Sequence, residues 1–131
     1  MRMKTLGVLL AAVLSLVVGT PLAAHHGAAS YDLDKELTMK GTVTDWLWAN
    51  PHCILKYDSV DDAGNATHWV VEVGNPVGMT SRGWSRQTFK PGDKVTVTMH
   101  PARNGYPVGQ LLKVVLPSGQ ALQAGAIPGS I

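Results

Sequence analysis

A single cysteine, Cys53, stands in the 131 residues, so no internal disulfide can form. Without a staple the fold must rest on a hydrophobic core, and a chain of this length supports one core and one domain. Cys53 alternates with Leu55 and Tyr57, which reads as a buried thiol acting as a small hydrophobe. An intermolecular disulfide or a metal thiolate is the alternative. Catalytic signatures are also lacking. Ser30, Ser59, Ser81 and Ser85 sit in no G-x-S-x-G context, and neither H-E-x-x-H nor a paired-carboxylate motif occurs. No internal repeat is present.

Long apolar runs are confined to the start. Met1-Arg2-Met3-Lys4 is basic, Leu6 to Val18 is apolar apart from Gly7 and Ser15, and Thr20-Pro21 precedes Leu22-Ala23-Ala24. This is the three-part layout of a secretory signal with cleavage after Ala24. A membrane-spanning helix needs about 20 apolar residues, more than this run offers. No cysteine follows the run to carry a lipid. The expectation is export to the periplasm or beyond the cell, with no stable membrane span after cleavage.

Cleavage also removes a charge excess. The whole chain carries eleven basic and nine acidic residues, and losing Arg2 and Lys4 leaves nine of each. The basic stripe that nucleic-acid binding requires is therefore missing, and no nucleic acid is expected as a partner.

Beyond the signal, residues 25–36 are polar and aperiodic, an N-terminal arm with a turn near Asp32–Asp34. From Leu37 the pattern has period two, with Leu37, Met39, Gly41 and Val43 on one face. Trp46 and Trp48 have the opposite parity, so a bulge near Thr44–Asp45 is expected, bending a strand already loosened at Gly41. Further strands are expected over Cys53–Val60, Thr67–Val73, Lys94–His100 and Tyr106–Leu116. Asn75 as cap and Pro76 at the first position open a short helix to Arg82, stopped by Gly83. A curved first strand, a β2–β3 hairpin and a helix between strands three and four describe a small all-β, five-stranded OB-like barrel over residues 37–117. Residues 118–131 read as a flexible tail.

Chemistry concentrates where cleavage would create a new terminus, His25-His26. A free amine beside its own imidazole is a chelate, and nitrogen ligands of this kind suit copper or zinc. His52, in the Trp48-Ala49-Asn50-Pro51-His52 turn, supplies a third ligand in this reading. His68 and His100 are weaker candidates because their parity faces outward. Against the metal reading, two histidines at a terminus can be simply hydrophilic, and His52 can bond backbone in its turn. Trp48, Asn50, Arg82 and Trp84 are candidate ligand contacts, since Arg82 and Arg86 flank Gly83-Trp84 as they would around an anion. The competing reading has Trp84 plugging the barrel end with the arginines solvated. Glu72 lies mid-strand, facing outward with His68, which suggests a cross-strand surface role.

Several segments together resemble a known family: Ala24-His25-His26 after a signal, Lys40-Gly41-Thr42-Val43-Thr44, Trp48-x-Asn50-Pro51-His52, Trp69-x-Val71-Glu72, Arg82-Gly83-Trp84, and Lys90-Pro91-Gly92-Asp93-x-Val95-x-Val97. Their order resembles small exported bacterial proteins of unknown function, over nearly all of residues 24–117. The resemblance implies a periplasmic location and one compact β domain, and no activity. The leading expectation is a non-enzymatic binding module with a copper or zinc site. The alternative is a structural protein docking an envelope partner through Trp46, Trp84 or Tyr106. An enzyme using Arg82 and Glu72 on a small anion lacks a catalytic pair at defined spacing.

Overall fold

Alternating apolar residues set the strands, and the computed structural model, which describes residues 28–125, shows how they close. A 3-10 turn at Ala28–Ser30 leads into β1 (Leu37–Leu47), β2 (Ile54–Val60) and β3 (Ala66–Glu72). Then come a helix, α1 (Pro76–Thr80), β4 (Lys94–Pro101), β5 (Val108–Val115) and β6 (Ala121–Gln123). β1 pairs antiparallel with both β2 and β4, β2 and β3 form the hairpin, and β4 pairs with β5. β5 then runs parallel to β3 and closes the circle. The result is a closed, mixed, five-stranded barrel with the helix between strands three and four, the OB-like architecture the sequence implies.

One strand serving two neighbours has to coil, and two features of β1 allow it. The register with β2 skips between Val43 and Asp45. This bulge turns both Val43 and Trp46 toward the interior. At Gly41 any Cβ would collide with the Tyr57 ring and the Asp58 carbonyl oxygen, so only glycine lets β2 pass so close.

The interior is lined by Val43, Leu55, Tyr57, Val71, Val97, Met99, Leu111 and Val114. Trp46, Trp84 and Phe89 form an aromatic group against it, with ring centroids 5.0–6.1 Å apart. The helix delivers Trp84 to that place. Asn75 caps it, Oδ1 accepting from the Gly78 amide at 2.8 Å. The Arg82 and Trp84 amides both bond the Met79 carbonyl while Gly83 takes φ +88°. This left-handed glycine ends the helix at Thr80, two residues before the expected limit, and swings the indole inward.

The expected tail is corrected in its first part. Ala121–Gln123 form β6 on the C-terminal half of β5, which β3 leaves unpaired. Leu122 and Ala124 are buried, and the Gln123 carbonyl accepts the Trp84 indole N–H at 3.0 Å. Alternation of Ala121, Leu122 and Gln123 is too short to stand out from a Gly- and Ala-rich segment. Among the described residues, no helix is long and apolar enough to cross a membrane.

Candidate functional site

The loop from β1 to β2 carries Trp48 and His52 to opposite sides of the barrel wall. Trp48 packs on the core and lies 5.8 Å from Trp46. The Asn50–Pro51 peptide is cis. Cys53 then enters the sheet, its amide bonding the Gly74 carbonyl and its carbonyl accepting from the Val73 amide. Its thiol is fully buried, and burial raises its pKa, as the hydrophobic reading requires. Because successive residues of an extended chain alternate faces, His52 turns outward.

There it meets Glu72. The outward parity of Glu72 is as the sequence suggests, but its surface role is corrected: only 18% of the side chain is exposed. The reason is the N-terminal arm. Tyr31 bridges to Ala102, the Asp32 amide bonds the Pro101 carbonyl at 2.9 Å, and the Arg103 amide bonds the Ser30 carbonyl at 3.0 Å. These contacts lay the arm along the end of β4, with Tyr31 itself only 6% exposed. The Tyr31 hydroxyl donates to Glu72 Oε2 at 2.6 Å. The other carboxylate oxygen, Oε1, lies against His52 Nδ1 in an ion-pair contact that is close without being aligned as a hydrogen bond. Burial first, and then the Glu72 bond and charge, push the Tyr31 phenol well above the usual tyrosine range. It therefore stays a neutral donor at all ordinary pH values.

Beside an ionised carboxylate oxygen, the facing ring nitrogen is the one on which a hydrogen is favoured, since the carboxylate is an acceptor only. Nδ1 is buried, whereas the His52 ring is 30% exposed. Among the described residues, Nε2 has no hydrogen-bond partner. A histidine with Nδ1 beside a carboxylate, and with Nε2 free of partners among the described residues, is placed as metal-ligating histidines commonly are.

The other candidates are dispersed. His68 Nδ1 pairs with Asp58 Oδ1 at 2.6 Å on the outside of the β2–β3 hairpin. His100 Nδ1 bonds the Lys35 carbonyl at 2.8 Å. Asn50 and Arg82 are exposed. Trp84 is 1% exposed and hydrogen-bonded, so it is a packing residue at the barrel end and not a surface ligand contact. Of the aromatics expected to offer apolar area to a partner, Trp46 is partly buried and Tyr106 is 68% exposed. A surface depression of about 590 Å³, walled by Lys40, Thr42, Asp58, Val60, Lys94 and Leu116, contains none of these candidates. Among the described residues, no three His, Cys, Asp or Glu side chains converge to hold a metal. His25 and His26 lie outside the described residues, as does the signal segment.

Tyr31 is the residue that sequence reasoning misses. Its signal is a lone aromatic in an otherwise polar arm, and its partner stands 41 positions away.

A small OB-like barrel with a loop histidine beside a partly covered carboxylate belongs to the general class of compact β-barrel domains. The family can be stated as well: residues 12–111 match the family of unknown function DUF6152, and the chain belongs to it. No curated protein and no solved structure matches the chain.

Proposed function

We propose that the protein is an exported, non-enzymatic binding module of the bacterial periplasm that takes up copper, or zinc, through His52 and the mature N-terminal residues His25 and His26. The observation that carries this reading is the outward-turned His52, with Nδ1 on Glu72 and Nε2 open. Chain length supports it. His26 precedes Tyr31 by five residues, a reach of up to roughly 17 Å. Tyr31 is itself separated from His52 only by the Glu72 carboxylate. The leader-like residues 1–24 support export, and export would generate the amine that completes the chelate.

Titration of the exported protein with copper(II), followed by calorimetry and electron paramagnetic resonance, tests this directly. One site per chain with nitrogen ligands is expected. It should weaken at least tenfold in His52→Ala and after one residue is added before His25. Binding that neither change affects would overturn the assignment of these ligands.

A further inference from the structure

The carboxylate of Glu72 is used twice, and its two partners come from segments with no other reason to meet. Oε2 accepts from Tyr31 on the arm, and Oε1 faces His52 on the β1–β2 loop. Both partners are fixed independently of each other. The arm is held by the Asp32–Pro101 and Ser30–Arg103 backbone bonds on either side of Tyr31. The loop is held by Cys53, which is hydrogen-bonded through its amide to Gly74 and through its carbonyl to Val73, just past the end of β3. Glu72 is the last residue of β3, in register with Ile54 of β2 and with Gln110 of β5. Its backbone is therefore fixed from both sides, and only its side chain can be steered.

A carboxylate on a two-methylene stem has rotamers to choose from. The short Tyr31 bond, to an ionised acceptor and under cover of the arm, is of the strong kind that selects one. In that rotamer Oε1 meets Nδ1 of His52. An imidazole beside a carboxylate oxygen protonates the facing nitrogen and leaves the lone pair on the other.

We propose that Tyr31 and Glu72 are positioning residues: the docked arm, acting through Tyr31 and Glu72, fixes His52 as the Nδ1–H tautomer and presents Nε2 as an open ligand. This deepens the metal-binding reading and rests on it for its purpose. The arm thus has two parts in one site. Its start would supply ligands, and its docked portion prepares the ligand on the opposite loop. Coupling of this sort is reciprocal. A metal bound at His52 and at the chain start should hold the arm down, and loosening the arm should weaken the metal.

The test separates the two claims by reading the tautomer without metal. In metal-free, ¹⁵N-labelled exported protein, long-range ¹⁵N–¹H correlation spectra should show His52 protonated at Nδ1. In Tyr31→Phe the ring packing is retained and the hydroxyl removed. The tautomer should shift toward a mixture, and copper(II) affinity should fall by about tenfold, the usual scale for loss of a partner behind a ligand. Amide exchange at Asp32 should accelerate in that variant, and copper should slow it in the parent protein. Glu72→Gln keeps the shape and an acceptor but loses the charge, and should give a tautomer shift at least as large. His52 protonated at Nε2 in the parent, or a tautomer unchanged in both variants, would overturn the positioning role. If the parent has the Nδ1–H tautomer, lost in Tyr31→Phe, but binds no copper, the positioning role stands and the metal reading falls.

Discussion

The outer face of β3 carries two histidine–carboxylate pairs, and they differ in nearly everything except composition. His68 and Asp58 stand directly opposite each other across the β2–β3 hairpin, 2.6 Å apart and open to water. His52 and Glu72 meet four residues further along the same strand, across a loop, under the arm, with Tyr31 as a third member. An exposed pair loses most of its attraction to solvent screening. A covered carboxylate that accepts one hydrogen bond and faces a ring nitrogen with its other oxygen is costly to remove. The Tyr31 hydroxyl and the buried Nδ1 are then left without a partner in a place water reaches poorly. The difference between a surface decoration and a built site is thus made by what lies on top, and the arm supplies it.

The largest effect should come from removing the carboxylate that both segments share. Glu72→Ala leaves the Tyr31 hydroxyl and His52 Nδ1 facing each other across a gap. A loss of about 2 kcal/mol in urea unfolding is expected, by the usual cost of stranding buried polar groups. A loss no greater than that of Asp58→Ala would remove the distinction between the pairs.

A second contrast appears at alkaline pH. Burial, reinforced by Glu72, raises the Tyr31 pKa in the folded protein, and burial alone raises that of Tyr57. The unfolded chain releases these protons near the ordinary value of about 10, whereas the folded chain retains them. A raised folded pKa contributes stability that is complete below pH 10 and is lost as pH rises beyond it. Stability should therefore decline from pH 10 upward, and less steeply in Tyr31→Phe, where the Tyr57 contribution remains. Unfolding measured at intervals from pH 9 to 11.5 checks this. Parallel declines in the two proteins would show that Tyr31 is not held as described.

The contrast also explains what could be read from the sequence. Strand positions, the bulge before Trp46, the capped helix and the barrel itself follow from alternation, turn residues and glycines, which are local signals. Trp84 was readable as a plug because a large apolar side chain follows a helix-ending glycine. The outward parity of Glu72 was readable too, and its burial was not, because parity gives a face and says nothing of what covers it. Tyr31 and Glu72 are joined by a contact spanning 41 residues. No periodicity links them, so only closing the barrel and laying down the arm reveals the pairing. The short β6 escaped for a related reason. Three residues carry too little pattern, and the strand exists because β5 offers an unpaired half.

The smallest effect should come from the exposed pair. In His68→Ala the Asp58 side chain loses its partner, but the histidine is 81% exposed and the pair's attraction is screened by water. The change in unfolding free energy should be below about 1 kcal/mol and should shrink further when salt is raised from 0.05 to about 0.5 M, where the Debye length falls to a few ångströms. Copper(II) affinity should not change, because His68 lies outside the chain of contacts from Tyr31 to His52. The same substitution at His52 should cost metal affinity while altering stability by a different amount. If His68→Ala reduced copper binding as much as His52→Ala, the covered pair would not be the site. The metal would then belong to the hairpin surface, and the arm would be packing alone.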